Sequence, residues 1–538
     1  MTGRRLIRDW GGSWDEIRAR FRWDLPARFN IAEACCTSWA RDDPDRLALT
    51  HVAADGTART WSYGQLDRAA SRLAASFAAR GVGPGDRVGV LLEQGPGVLI
   101  AHFAAYRRGA IVLPLFALFG PDALAFRLAD SGAKLVVTDM AGLEKLGPIR
   151  ADLPDLAEIY TTGPAPAPIR SLWDEIEAAR PIAPVETAPD DPALLVYTSG
   201  TTGPPKGALH AHRVLLGHLP GIECQLERFP QPGDVGWTPA DWAWIGGLMD
   251  LAMPCLYHGV PLISHRMRKF DPDRAFDLIA RHRVRTLFLP PTALKLMRRA
   301  TVPEGVNIRA ISSGGESLGP DLLDWGREVL RAPINEIYGQ TECNLVVNTM
   351  ASVMEVRPGM IGQPVPGHEV AIIDADGHEV PRGETGEIAV RRPDPVMFLG
   401  YWNQPEKTAA KFTGDWLKTG DLGRMDEDGY VGFVSRDDDV ITSAGYRIGP
   451  SEIENCLTGH PNVIMAAVIG VPDALRTEVV KAFVIAREGA AGEALREALI
   501  QRVRDKVSPH VAPRALDFVE TLPLTATGKI MRRSLREG

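Results

Sequence analysis

An excess of positive charge, paired cysteines and long apolar runs are all missing from this chain, and each absence removes a class of function. Its 538 residues carry a formal net charge of -8, which excludes bulk electrostatic attraction to nucleic acid as a working principle. Six cysteines (Cys35, Cys36, Cys224, Cys255, Cys343, Cys456) are scattered without a Cys-x-x-Cys pair or Cys/His metal spacing, so reduced, structural thiols are expected. No apolar stretch approaches the roughly 18 residues that a membrane-spanning helix requires. The nearest, 110–119, reads as core. The N-terminal segment 1–14 carries Arg4, Arg5, Arg8 and Asp9 but no apolar stretch of the kind a secretory signal needs, and the protein is read as cytoplasmic. No internal repeat or long low-complexity segment interrupts the chain.

What is present is ordinary globular composition, 45% hydrophobic and 24% charged, in a length that calls for more than one domain. Over 61–139 helical and strand spacing alternate: helix 63–79, strand 87–92, helix 97–107, strand 110–113, helix 122–130 and strand 133–138. Such alternation predicts parallel strands with helical crossovers. The pattern resumes with helices over 210–219, 271–282, 292–299 and 320–330 and strands over 285–289 and 308–312. From 364 to 434 it turns to short strands with glycine turns. Beyond 435, helices over 451–457 and 492–507 and strands over 464–471, 479–486 and 516–520 suggest a small α+β domain. The fold class is therefore α/β, with a large N-terminal domain, a β-rich subdomain and a small C-terminal domain.

Three loops stand out. Thr198-Ser199-Gly200-Thr201-Thr202-Gly203-Pro204-Pro205-Lys206-Gly207 follows an apolar run and holds four hydroxyls, three glycines and one lysine. Glycines let backbone N–H groups turn inward, and hydroxyls and an ammonium add donors, so the loop suits a polyphosphate. A plain surface turn has the same composition, and it is not a Walker A loop. Two further strands run into Ser313-Gly314-Gly315-Glu316 and Tyr338-Gly339-Gln340-Thr341-Glu342. Loops beyond strand carboxyl ends are candidates for one shared crevice.

In order along the chain, the phosphate loop, Tyr338-Gly339-Gln340-Thr341-Glu342, Thr419-Gly420-Asp421, Ser435-Arg436-Asp437-Asp438, Gly445-Tyr446-Arg447-Ile448 and Thr527-Gly528-Lys529 resemble the motifs of the adenylate-forming superfamily. Within that superfamily the chain is most similar to medium-chain and acetyl-CoA synthetase-like enzymes. The resemblance implies an N-terminal AMP-binding domain over 1–435 and a mobile C-terminal domain over 436–538. It implies two half-reactions: a carboxylate attacks the α-phosphorus of ATP to give acyl-AMP and pyrophosphate, and the thiol of coenzyme A then displaces AMP. It implies that Thr198, Ser199, Gly200, Thr201, Thr202, Gly203 and Lys206 hold the β- and γ-phosphates. Thr341 would bond the α-phosphate and Glu342 would ligate Mg²⁺. Asp421 would accept the ribose hydroxyls, with Arg436 adding a contact. Gly314, Gly315 and Glu316 would wall the adenine and acyl group, with Tyr338 packing on the base and Gly339 and Gln340 completing the motif. Lys529 would be the catalytic lysine of adenylation. Asp438 would be the hinge about which Lys529 is exchanged for the face bearing Gly445 and Arg447.

Similar enzymes place a tryptophan where Trp244 stands, at the junction of acyl and thiol tunnels; a core indole is the plainer reading. Acetate-restricted relatives carry tryptophan where this chain has Gly339, which points to a medium-chain, branched or aromatic carboxylate. Ser435 and Ala243 depart from the usual glycines. The C-terminal cations Arg502, Arg504, Lys506, Arg514, Arg532, Arg533 and Arg536 fit either CoA phosphates or a solvated face. The sequence runs nine residues past Lys529 with no carrier-domain motif, and CoA is expected as the acceptor in place of a carrier protein. The partners expected are a small-molecule acid, ATP and CoA, with no nucleic acid and no membrane span; a homo-oligomer stays open. Two competing readings are an adenylating enzyme passing acyl-AMP to a carrier protein or other acceptor and a non-catalytic nucleotide-binding regulator. The latter is disfavoured by the presence of Thr341, Glu342, Asp421 and Lys529 together.

Overall fold

A computed structural model describes residues 4–198, 204–316, 318–436, 439–443, 446–473, 477–509, 511–525 and 529–537, with side chains at 442, 446, 447 and 537 outside that description. Two large sheets dominate. In an eight-stranded sheet the order is Gly400–Tyr401, Lys206–Ala211, Pro192–Thr198, Ile111–Pro114, Arg87–Leu91, Leu135–Thr138, Glu158–Thr161 and Arg170–Ser171. From Pro192–Thr198 to the far edge all neighbours are parallel. Its central strands Ile111–Pro114 and Leu135–Thr138 are buried at every position, as parallel strands covered on both faces must be.

A nine-stranded sheet follows the same logic. Its inner strands, Ile334–Gln340, Ala310–Gly314, Thr286–Phe288, Gly236–Trp237, Leu262–Ser264 and Leu47–Val52, are parallel. Antiparallel Cys343–Asn348, Gln363–Pro364 and Ala58–Ser62 complete it. Between the two sheets run helices such as Tyr63–Ala79, entered through a capping box in which the Ser62 hydroxyl accepts from Gln65 N–H and the Gln65 side chain answers on Ser62 N–H. The helix Pro96–Arg107 is buried at nearly every position and shares one continuous core with it.

The glycine-rich β region is a five-stranded antiparallel sheet built on the long strand Trp416–Met425, with Val431–Arg436 on one side. After Arg436 the chain enters another five-stranded sheet, made of Ile441–Ser443, Tyr446–Ile448, Val463–Asp473, Thr477–Ala486 and Ala515–Phe518. Helices Pro450–Thr458 and Glu493–Lys506 close its own apolar cluster around Ile453, Leu457, Val468, Val484 and Leu499.

Three expectations need correction. The helix expected over 210–219 is two elements: strand Lys206–Ala211 hairpins back on Pro192–Thr198, and the helix Val214–Gln225 starts later. Backbone pairing across the phosphate loop overrides the local helical spacing. The helix expected over 320–330 is an α-helix, Pro320–Trp325, that widens into a π-helical turn, Gly326–Leu330. Near the C-terminus Thr525 N–H donates to the Lys529 carbonyl at 2.7 Å, and the helix Arg532–Glu537 follows. Arg532 is occupied there, its guanidinium forked onto Glu454 (2.7 Å) and Asp439 (3.1 Å), and is not a spare cation for CoA.

Candidate active site

The three expected loops converge. Thr198 and Lys206 are the closing pair of the phosphate-loop hairpin, with Thr198 Oγ1 donating to the Lys206 carbonyl at 3.3 Å. Ser199, Gly200, Thr201, Thr202 and Gly203 lie outside the described residues. Lys206 Nζ stands 5.0 Å from the centroid of the Tyr401 ring. Its ammonium is held below the ordinary lysine range, first by loss of hydration, then by Lys411, with Glu342 opposing.

Thr341 and Glu342 form the two-residue tip between Gln340 and Cys343, which pair across an antiparallel hairpin. Gly339 is required by that hairpin: a Cβ there would meet Leu345 N at 2.2 Å and Asn344 Cα at 2.8 Å. Any side chain at this position therefore requires the hairpin backbone to shift. Asn344 anchors the returning arm, its amide donating to Asp250 Oδ1 at 2.7 Å and to His218 Nε2 at 2.9 Å.

Glu342 is buried, and its Oε1 accepts a short hydrogen bond from the Tyr401 hydroxyl. Among the described residues the one group of three or more His, Cys or carboxylate side chains spaced for a metal is exposed Asp374, Asp376 and His378, and Glu342 is not in it. A single carboxylate fits a cation that completes its shell with phosphate and water oxygens, as Mg²⁺ does.

Asp421 is the best-connected group. Its Oδ2 accepts from Tyr338 Oη and Gln340 Nε2, each at 2.7 Å, while Arg436 Nε reaches Oδ1 at 3.2 Å. Tyr338 thus orients this carboxylate through its hydroxyl, a role beyond the stacking expected of it. Gly420 carries φ +78, the turn that re-aims the strand at Asp421.

Lys529 arrives from the C-terminal region into a crevice lined by Trp244, Pro290, Pro291, Thr292, Gly314, Gly315 and Glu316. A Cβ at Gly315, whose φ is +99, would sit 3.3 Å from Lys529 Cε and 3.8 Å from the Trp244 ring. Lys529 keeps solvent contact over part of its surface, yet its ammonium is also held below the lysine range. Crowding in the cleft comes first and Arg436 second, with Asp421, Glu316 and Glu342 pulling the other way. Arg299 secures the approach by donating to the Val463 carbonyl at 2.7 Å. Glu316 itself lies 4.0 Å from Lys295 Nζ. Asp438 and Gly445, and the Arg447 side chain, lie outside the described residues. A cavity of about 1020 Å³ opens elsewhere, along Arg213, Phe398, Leu399, Tyr401 and Trp402, and holds neither Lys529 nor Asp421. The chemistry follows the convergent charges and not this volume.

Sequence reading missed Tyr401, Lys411, Asn344 and Glu336. Glu336, 6% exposed on the strand Ile334–Gln340, accepts from Leu318 N–H at 3.2 Å, and burial pushes its carboxyl up to about 8. The run Gly400-Tyr401-Trp402 was the one available hint of Tyr401.

The AMP-binding enzyme family matches residues 36–402, and the AMP-binding enzyme C-terminal domain matches 452–529. Acyl-coenzyme A synthetase ACSM4, mitochondrial, of Homo sapiens is 34% identical over 95% of this chain and 91% of its own length. Acetyl-coenzyme A synthetase of Bacillus subtilis is 34% identical over 84% and 80%. Among solved structures, the anthranilate CoA ligase AuaEII in complex with anthranoyl-AMP superposes with a TM-score of 0.87 at 27% identity, covering 96% of this chain and 98% of that one. With two matched domains spanning most of the chain and a lysine from the second closing on loops of the first, the protein belongs to the AMP-binding enzyme family and is an ATP-dependent, AMP-forming acyl-CoA synthetase.

Proposed function

We propose that the acid activated is a medium-chain, branched or aromatic carboxylate, and that the domains divide at 1–435 and 436–538 with Asp438 as hinge. The placement of Lys529 in one crevice with Gly315 and Trp244 carries the reading, because it brings an ammonium from the C-terminal region to the wall expected to hold the acyl group. An anthranilate ligase among the similar structures supports an aromatic acid, and an acetyl-CoA synthetase among the relatives keeps acetate as the comparison.

In the first half-reaction a carboxylate oxygen attacks the α-phosphorus, the bond to the β-phosphate oxygen breaks, and pyrophosphate leaves. Negative charge grows on the α-phosphoryl oxygens and the leaving group, so preorganised cations and donors lower the barrier. Lys529 would neutralise charge between carboxylate and α-phosphate, with Thr341 donating its hydroxyl there. Lys206 and the 198–203 loop would hold the leaving pyrophosphate. Glu342 would hold Mg²⁺, which supplies further charge neutralisation when bound. Asp421, preset by Tyr338, Gln340 and Arg436, would take the ribose hydroxyls. The second half-reaction needs the Lys529 loop to leave so that the CoA thiol can attack the acyl carbon and expel AMP.

No helix among the described residues is long and apolar enough to cross a membrane. Six unpaired cysteines, five of them buried, support a reducing compartment, and we place the enzyme in the cytoplasm; detection in a membrane or organelle fraction would overturn that. The substrate test is a panel of acids, acetate included, assayed for AMP release with and without CoA. Preference for acetate sinks the proposed acid class. Acyl-AMP formation that CoA does not accelerate would sink the CoA-dependent second step.

A further inference from the structure

Lys411 belongs to none of the motifs above, yet its ammonium is built into the site. It is half-buried at the start of the hairpin Phe412–Thr413 to Trp416–Met425, where Lys418 N–H donates to the Lys411 carbonyl at 2.7 Å. The side chain folds back across that pair, and Nζ donates to the carbonyls of Lys418 at 2.9 Å and Thr419 at 3.3 Å. The Thr419 carbonyl is shared, because Gln340 Nε2 reaches it at 2.7 Å while also bonding Asp421 Oδ2. The Gln340 amide thus pins the turn that carries Asp421 to the hairpin that carries Thr341 and Glu342, and the Lys411 ammonium holds the same Thr419 carbonyl. After loss of hydration, the Lys411 charge is the next cause holding the Lys206 ammonium below the ordinary lysine range.

We infer that Lys411 is a positioning residue for ATP, which steadies the Thr419 carbonyl that Gln340 shares and so keeps the Thr419–Asp421 turn in register with the Gln340–Glu342 tip. The inference rests on the proposed ribose role of Asp421. A hydrogen-bonded cation on two carbonyls is a stronger tether than a neutral donor, and its long-range charge is kept by arginine but not by methionine.

The test is ATP–pyrophosphate exchange with Lys411→Met, Lys411→Arg and Asp421→Asn. Lys411→Met should raise KM for ATP about tenfold while kcat falls less than about threefold, and Lys411→Arg should recover most of that KM. If Lys411→Met melts several degrees lower than the parent, Lys411→Gln takes its place with the same expected split. Asp421→Asn decides the underlying reading separately: an unchanged KM for ATP there removes the ribose role whatever Lys411 does. A raised KM in Asp421→Asn with Lys411→Met still within about twofold of the parent overturns the inference alone. Loss in Lys411→Arg as large as in Lys411→Met also overturns it, since charge would then be irrelevant.

Discussion

The Tyr401 hydroxyl donates to Oε1 of Glu342, and the two residues come from segments that share no motif. Tyr401 sits on the edge strand that pairs with the strand leaving the phosphate loop, while Glu342 tips the hairpin of the other large sheet. The contact therefore ties the two sheets at the point where phosphate and metal would meet. The same phenol face lies under Lys206.

Tyr401→Phe keeps the ring under Lys206 and removes only the donor to Glu342. The freed carboxylate should need more metal, raising the Mg²⁺ concentration for half-maximal adenylation about three- to tenfold with the melting temperature little changed. Titration of Mg²⁺ at saturating ATP measures this, and an unaltered Mg²⁺ profile would show that the hydrogen bond does not tune Glu342.

Lys529→Ala should lower adenylation at least about a hundredfold while leaving thioester formation from supplied acyl-AMP within a few-fold of the parent. Because its ammonium is held below the free-lysine range, the adenylation rate should decline on the alkaline side at lower pH than a free lysine would dictate. The protonated form is the useful one, so activity is lost as pH rises through that value. Equal loss of both half-reactions in the alanine variant contradicts the exchange of faces.

Glu336→Gln tests a buried acid. In the folded protein this carboxyl titrates at about 8 against a model-peptide value of 4.5, so between those pH values the native state keeps a proton that the unfolded chain has released. Stability contributed by the protonated form is complete below the unfolded value and is lost as pH rises toward 8. The glutamine variant should match the parent near pH 5 and unfold up to a few kcal/mol later near pH 8. Denaturant melts at the two pH values measure it; parallel pH dependence in both proteins would refute the buried-acid assignment.

Gly339→Ala should cripple both half-reactions. A Cβ would stand 2.2 Å from Leu345 N, so the hairpin must open, displacing Thr341 and Glu342. We expect a melting temperature lower by several degrees and adenylation down at least about tenfold. A fully active, fully stable alanine variant would mean the strands can separate there without consequence.

Much of the architecture was legible along the chain because parallel strands buried on both faces are written as short apolar runs between amphipathic helices. The helix Tyr63–Ala79 falls within its expected bounds, and Arg87–Leu91 and Leu135–Thr138 differ only at their ends. The phosphate hairpin was misread as helix at 210–211 because strand pairing with Pro192–Thr198 is a non-local interaction that local periodicity does not carry. Lys206, Thr341, Glu342, Asp421 and Lys529 stand out in one dimension because they lie in short local runs that resemble the motifs of the adenylate-forming superfamily.

What the sequence by itself determined was the set of reactive groups and the family they belong to. What only the tertiary structure decided was how those groups are held. Tyr401 on Glu342, Lys411 and Gln340 on the Thr419 carbonyl, and Asn344 on Asp250 and His218 all join residues from separate segments. The same holds for Gly339, where a Cβ would stand against the backbone of Asn344 and Leu345. Hydrogen bonds and close packing depend on distances between atoms, and such distances exist only once the sheets have come together.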